Sequence, residues 1–172
     1  YFQSDYVEGC HPKILEKMAE TNFVQTPGYG NDAYCGSARE KIRKACGRED
    51  VDVHFLVGGT QTNATVIASI LKAHQGVISA DTGHIACHET GAIEAAGHKV
   101  LTLPSEDGTI TGDQVEAYCD AHDACASREH MVQPGMVYIS FPTESGTLYS
   151  KEQLTSLYAS CRKCGLPLYL DG

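Results

Sequence analysis

Short apolar runs alternate along the chain with longer stretches whose apolar residues recur at helical spacing. Buried strands are predicted for the runs 53–57, 76–80, 99–103, 136–141 and 166–170. Helices are predicted between them, over 62–72, over 86–96, from 112 into the 121–127 region, and over 151–164. The alternation of strand and helix predicts an α/β fold of three layers, in which helices cover both faces of a mostly parallel sheet.

The part of the chain that precedes this alternation predicts a separate helical segment. Helices are expected over 11–20 and 35–46, joined by the Pro/Gly/Asn-rich loop 26–32. The first four residues, YFQS, resemble the remnant of a cleaved expression tag. We therefore expect a tag remnant at 1–4, an N-terminal helical segment at 5–50 and a large domain at 51–172. Because the chain stops directly after a strand, we expect this domain to be incomplete, with its C-terminal remainder absent.

Composition narrows the function classes. Hydrophobic residues make up 42% of the 172 residues and the net charge is −9, which fits a globular domain and disfavours a nucleic-acid partner. No apolar run approaches the length of a membrane span and no secretory signal is present, so we expect a cytoplasmic protein without membrane contact. The eight cysteines lie in helix-like segments and are expected to be reduced. Cys161 and Cys164 have redox or zinc-like spacing, but they form a single pair, and we predict no metal site.

The segment GGTQTN at 58–63 joins an apolar run to a helix. The unpaired amides at the start of that helix, together with the helix dipole, would form an anion site suited to phosphate. The pattern matches neither G-x-G-x-x-G nor a nucleotide P-loop. The alternative is that the glycines serve only the geometry of the turn.

Three further strand ends carry polar residues that could meet at the same edge of the sheet. His84 follows the second predicted strand, Thr143 and Glu144 follow the fourth, and Asp171 ends the last. His84 could stack on a planar ligand or transfer a proton, or it could merely cap its helix. Glu89 is interpreted as an acid in the first turn of the helix 86–96, where it would complement the helix dipole.

The ordered motifs SDYVEG, TPGYGND, GGTQTNA, HIACHETGA, PTESGTLYS and YLDG resemble the threonine aldolase and beta-eliminating lyase family. Its members are pyridoxal-phosphate enzymes of the aspartate aminotransferase fold, fold type I. The resemblance implies that Gly59, Thr60 and Gln61 hold the cofactor phosphate. It also implies that His84 stacks on the pyridine ring and can transfer protons, and that Asp171 pairs with the pyridine nitrogen. A carboxylate there keeps the ring protonated, so that it can accept electrons from the substrate.

The resemblance also implies substrate contacts at Ser4, Tyr29 and Glu144. The loop of Tyr29 often reaches the neighbouring subunit in this family, which implies a homodimer or homotetramer. Many threonine aldolases have a histidine where this chain has Glu144, so substrate and reaction stay open. The family's cofactor-binding lysine belongs beyond Asp171, and we expect the 172-residue chain alone to be inactive.

The function that the sequence predicts for the parent protein is a low-specificity threonine aldolase, which cleaves a beta-hydroxy amino acid to glycine and an aldehyde. One alternative is a beta-eliminating lyase of the same fold. Another is a non-catalytic homologue that binds a phosphorylated ligand. A nucleotide-binding domain is the third, for which Asp81 is the one residue that fits.

Overall fold

The computed structural model describes residues 7–172, so Ser4 and its predicted substrate contact lie outside the described residues. The chain divides into two compact units, one ending at Phe55 and the other running from Leu56 to Gly172.

The first unit contains the two helices predicted for it. Helix α1 spans Pro12–Thr21, with a proline in its first turn. Helix α2 spans Ala33–Cys46, and its N-cap residue Asp32 accepts a hydrogen bond from the Cys35 amide at 2.8 Å. Gly47 ends α2 with φ 63°, a left-handed conformation that glycine adopts without strain. Local capping signals thus set the bounds of α2.

The predicted strand 53–57 is wrong, because within residues 7–172 this segment pairs with no other strand. Its neighbourhood is held by side chains instead: the Arg39 guanidinium donates to the Val53 carbonyl at 3.1 Å, and that of Arg43 donates to the Val51 carbonyl at 2.8 Å. Phe55 is 49% exposed and Val57 is 94% exposed, so this apolar run does not mark a buried strand.

The second unit is built on a four-stranded sheet of order β2-β1-β3-β4 in which every neighbouring pair is parallel. The strands are β1 Gln75–Ala80, β2 Val100–Leu103, β3 Gln133–Ser140 and β4 Leu168–Asp171. The helices are α3 Gly59–Ile70, α4 His84–Cys87, α5 Ala92–Ala95, α6 Gly112–Ala124 and α7 Lys151–Lys163. Because the strands are parallel, their carboxyl ends and the loops that follow them lie at one edge of the sheet.

Successive strand residues point to opposite faces of this sheet and enter two separate apolar clusters. Ile78 and Val137 pack with residues of α6 and α7, such as Val115 and Leu157. The residues next to them in the chain, Val77, Met136 and Tyr138, pack on the opposite face with residues of α3, α4 and α5. The predicted three-layer α/β fold with helices on both faces is therefore confirmed, as are the other four predicted strands.

The helix predicted over 86–96 is wrong as a single element, since the chain forms two short helices there, α4 and α5. Thr90 and Gly91, which lie between α4 and α5, have positive φ angles of 56° and 74°, and these angles interrupt the helix. Glu89 precedes this turn and is 4% exposed. It therefore does not lie in the first turn of a helix, as the sequence pattern indicated, but in the interior of the unit.

Candidate active site

The helix at the GGTQTN segment begins with open backbone amides. Gly58 is extended and α3 starts at Gly59, three residues earlier than predicted, without a side-chain cap. The first amide that bonds a preceding carbonyl is that of Thr62, which donates to the Gly58 carbonyl at 2.9 Å. A Cβ atom added at Gly58 or Gly59 would meet nothing within 4 Å, so a ligand has room to approach the backbone. The amides of residues 59–61 and the helix dipole together favour an anion.

Gln61 contributes differently from its neighbours. Its side-chain oxygen accepts a hydrogen bond from the Val57 amide at 2.8 Å and so fixes the turn that leads into α3. Only its main-chain amide is then left for an anion.

His84 opens α4 directly after β1, and its ring is held by a carboxylate. The Nδ1 atom lies 3.1 Å from Oε1 of Glu144, while the backbone amide of His84 donates to the Ser140 hydroxyl at 3.3 Å. The ring makes no cap hydrogen bond to α4, so the capping interpretation of His84 is wrong. The side chain is 41% exposed, which leaves part of the ring accessible to a ligand.

Glu144 and Thr143 both follow β3, but their side chains make different contacts. Glu144 also accepts a hydrogen bond from Ser140 at 3.4 Å, and its Oε2 lies 3.9 Å from Nε2 of His88. Thr143 is buried, and its hydroxyl donates to the Asp107 carbonyl at 2.9 Å. The side chain of Glu144 therefore contacts His84, whereas that of Thr143 fixes the loop that carries both residues.

Asp171 ends β4 with one carboxylate oxygen engaged. The Tyr138 hydroxyl donates to Oδ2 at 2.6 Å, and the Asn63 amide donates to the same oxygen at 2.9 Å. Among residues 7–172, no hydrogen bond reaches Oδ1. Burial, followed by the hydrogen bond to Asp171, raises the pKa of Tyr138 far above its usual range, so its hydroxyl remains a donor.

Asn63 bridges Asp171 to a second carboxylate. Its amide nitrogen also donates to Oε1 of Glu89 at 2.7 Å, and its oxygen accepts from the Tyr169 hydroxyl at 2.6 Å. Both amide hydrogens are thus used by carboxylates. Burial, with the nearby charges of Asp171 and Glu89, raises the pKa of Tyr169 to about 12. The other oxygen of Glu89 is buried, and no group of residues 7–172 forms a hydrogen bond with it.

The sequence interpretation missed Asn63, Tyr138 and the inward orientation of Glu89. Asn63 lies four residues before Ile67 in α3, and both are fully buried. A polar residue at core spacing next to a glycine turn was the available signal. Glu89 offered none, because the helical pattern over 86–96 does not show the break at Thr90 and Gly91, where φ is positive.

Of the predicted site residues, the structure links His84 to Glu144 and, through Asn63 on α3, links Asp171 to the helix that begins with Gly59, Thr60 and Gln61. Tyr29 belongs to the first unit, has φ 61° and is fully exposed. Its substrate contact stays a prediction. Asp81, the residue that kept a nucleotide site open, accepts a hydrogen bond from the Ser105 amide at 3.1 Å.

Comparison with known proteins assigns the chain to a family. The family model described as beta-eliminating lyase matches residues 2–172. The chain belongs to the beta-eliminating lyase family. It is similar to a low specificity L-threonine aldolase of a Pseudomonas species, at 30% identity over 99% of this chain and 49% of that protein.

Solved structures agree with this assignment. The structure of Leishmania major threonine aldolase superimposes with a TM-score of 0.92 at 47% identity, covering 98% of this chain and 48% of that one. A PLP-bound C-S lyase from Staphylococcus hominis shares the fold, with a TM-score of 0.64 at 14% identity, covering 92% of this chain and 38% of that one. The chain thus spans about half the length of the curated relatives it matches.

The residues present fit pyridoxal phosphate, the cofactor that the family implies. Three open amides at the start of α3 suit a phosphate, and the half-exposed ring of His84 suits a planar group. The Oδ1 atom of Asp171 suits a protonated ring nitrogen, because a carboxylate favours the charged form of a nearby base. The described residues therefore supply a partner for each of these chemical features of the cofactor.

Proposed function

We propose that the protein containing this chain is a pyridoxal-phosphate lyase, a low-specificity threonine aldolase that cleaves a beta-hydroxy amino acid to glycine and an aldehyde. The family assignment and the names of its relatives support this reaction. The observation that carries the proposal is the carboxylate of Asp171, which Tyr138 anchors at the end of β4. The neighbouring strand β3 leads into the loop of Glu144, the residue that contacts His84. A homodimer or homotetramer and a cytoplasmic location remain predictions from the sequence.

When bound, the cofactor supplies an acceptor for the electrons released at the substrate alpha carbon. The role of Asp171 is to keep the ring nitrogen protonated by its negative charge. Tyr138 and Asn63 both donate to Oδ2, which fixes the carboxylate and leaves Oδ1 for that nitrogen. The amides of residues 59–61 bind the phosphate and so set the position of the ring.

His84 contributes a ring contact and a proton acceptor. Its Nδ1 is engaged by Glu144, so Nε2 is the atom left to take the proton of the substrate hydroxyl. Loss of that proton lets the alpha-beta carbon bond break with release of the aldehyde. Glu144 thereby acts through His84, and it replaces the histidine that many threonine aldolases have at this position.

Beta-elimination is the second candidate, and the position of Glu144 favours it. In that reaction the carboxyl group of Glu144 would protonate a leaving group on the beta carbon, whereas in aldol cleavage Glu144 only holds His84, which accepts the hydroxyl proton. The two reactions differ in their products: glycine and an aldehyde for the aldolase, and a 2-oxo acid and ammonia for the eliminating lyase.

The test combines cofactor trapping with product analysis on the full-length protein. Pyridoxal phosphate is added, the sample is reduced with borohydride, and the mass of the protein is measured. A reduced adduct on a lysine, together with glycine and acetaldehyde from threonine, is the expected result. The variant Asp171→Asn should keep the adduct and lose most of the cleavage. Absence of an adduct on the wild-type protein would contradict the proposal, and ammonia without glycine would favour elimination.

A further inference from the structure

We infer that Glu89 and Asp171, bridged by Asn63, form a paired-carboxylate site for one cationic ligand group. Glu89 is a positioning residue that strengthens binding of this cation and destabilises the protein when the cation is absent. The identification of the cation as the protonated ring nitrogen of pyridoxal phosphate rests on the proposed function. The pairing of the two carboxylates rests only on their hydrogen bonds to Asn63.

The two carboxylates are held by a single amide group. Nδ2 of Asn63 donates to Glu89 Oε1 at 2.7 Å and to Asp171 Oδ2 at 2.9 Å. The Glu89 side chain is 0% exposed, and its second oxygen has no hydrogen-bond partner in the described part of the chain. Two acidic side chains, Glu89 buried and Asp171 partly buried, therefore share one neutral bridge.

The described part of the chain provides little positive charge to this pair. Across residues 7–172, no lysine or arginine nitrogen lies within 4.0 Å of Glu89 or Asp171. The nearest basic group is Nε2 of His84, which lies 3.9 Å from Glu89 Oε1. His84 is itself engaged at Nδ1 by Glu144, so it is shared between two acids.

A buried carboxylate such as that of Glu89 is costly without a cation, because its desolvation and its repulsion from Asp171 are not compensated. A bound cation would offset both terms, since it would meet Asp171 directly and Glu89 through Asn63. The negative charge of Glu89 thus favours the ligand-bound state over the ligand-free one. If Glu89 were only a structural hydrogen-bond acceptor, removing its charge would not stabilise the cofactor-free protein.

The variant Glu89→Gln separates these roles, because glutamine keeps a side-chain oxygen for Asn63 Nδ2 but carries no charge. We expect the melting temperature of the cofactor-free full-length protein to rise by about 3 °C, a size typical of a small gain in stability. We expect its affinity for pyridoxal phosphate, measured by absorbance titration, to fall roughly tenfold. Glu94→Gln is the matched control: Glu94 is an exposed glutamate of α5, and its change should move neither value.

A second probe tests the charge in the wild-type protein, in case the variant does not fold. The probe is the analogue of pyridoxal phosphate in which carbon replaces the ring nitrogen, and which carries no ring cation. The wild-type protein should bind it at least tenfold more weakly than pyridoxal phosphate. In Glu89→Gln this preference should shrink, because one of the two negative charges is gone.

The outcomes separate the inference from the proposed function. A fall in the melting temperature of cofactor-free Glu89→Gln, or equal wild-type affinity for cofactor and analogue, would overturn the paired-carboxylate site. A wild-type protein that binds neither compound would contradict the proposed function alone. The rise in melting temperature would then still support the carboxylate pair.

Discussion

The two faces of the sheet bury different kinds of residues. On the face of α6 and α7, the buried residues are mostly apolar, and the buried polar side chains of these two helices are those of His122 and Ser160. The hydroxyl of Tyr149 accepts a hydrogen bond from the Ile110 amide at 2.9 Å. On the face of α3, α4 and α5, the apolar cluster is smaller and adjoins the hydrogen-bonded network of Asn63, Glu89 and Asp171, of which Asn63 and Glu89 are buried. The first face stabilises the fold, whereas the second gives up apolar packing to position charge.

This difference shows where function is built in a sheet whose strands all point the same way. The polar residues of the candidate site lie at the carboxyl edge of the sheet. Ser140 ends β3, Asp171 ends β4, and His84 opens the helix after β1. Apolar residues at the other positions of these strands fix the backbone that carries them. Changes on the α6/α7 face should therefore affect stability alone, and changes on the other face should affect cofactor binding as well.

The largest expected effect comes from breaking the apolar face. Leu157 of α7 is 1% exposed, and Leu157→Ala should lower the free energy of unfolding by about 2–5 kcal/mol, through lost burial and a cavity. Urea unfolding of the full-length protein measures this loss. Affinity for pyridoxal phosphate, measured below the unfolding transition, should not change. Leu148 is 63% exposed, so Leu148→Ala should be nearly neutral for stability. A large loss of cofactor affinity in Leu157→Ala would contradict the division between the faces.

Removing the bridge on the polar face should affect both properties. Asn63→Ala deletes the donor to Glu89 and Asp171 and the acceptor of the Tyr169 hydroxyl. We expect a loss of about 2–3 kcal/mol in the free energy of unfolding, because buried polar groups are left unpaired. Cofactor affinity should fall in the same variant. The control is Thr65→Ala at an exposed position of α3, which should change neither quantity by much.

A smaller effect is expected from the tyrosine that anchors Asp171. Tyr138→Phe removes a hydrogen bond to a carboxylate and should cost about 1.5–3 kcal/mol at neutral pH. Burial raises the pKa of Tyr138 above the ordinary value of 10.0, so its folded-state contribution is fully present below pH 10 and is lost as pH rises further.

Stability measured against alkaline pH should therefore fall less steeply in Tyr138→Phe than in the wild type. Tyr158 is 54% exposed, and Tyr158→Phe should leave the pH profile unchanged. An unchanged alkaline slope in Tyr138→Phe would show that this hydroxyl does not determine it.

The comparison also explains what the sequence could predict. Apolar runs such as 136–141 predicted their strands because burial on both faces of a parallel sheet leaves a continuous apolar signature. The same reasoning failed at 53–57, where arginine side chains, not a neighbouring strand, satisfy nearby carbonyls. Periodicity reports apolar composition, and it cannot show whether a partner strand exists.

The positions of His84, Glu144 and Asp171 at the carboxyl edge of the sheet were predictable, because each lies in a motif that ends or follows a strand. The network behind them was not, because Asn63 and Asp171 are separated by more than a hundred residues and meet only after the sheet has formed. Glu89 was predicted on a regular helix, but it lies between α4 and α5, next to the positive φ of Thr90 and Gly91, and it is buried. Local pattern identified the residues at the edge, and tertiary contacts decided which of them interact.

The smallest expected effect returns to the apolar face and sharpens the comparison there. Ser150 caps α7 in a capping box: its hydroxyl accepts from the Gln153 amide at 3.2 Å, while the Gln153 side chain accepts from the Ser150 amide at 2.7 Å. Ser150→Ala should cost about 1 kcal/mol in the free energy of unfolding, with cofactor affinity unchanged. Ser156 lies exposed inside the same helix, where alanine is the better helix former, so Ser156→Ala should be neutral or slightly stabilising. A weaker cofactor affinity in Ser150→Ala would mean that α7 transmits strain through the sheet to the site, and the two faces would then have to be treated as one coupled unit.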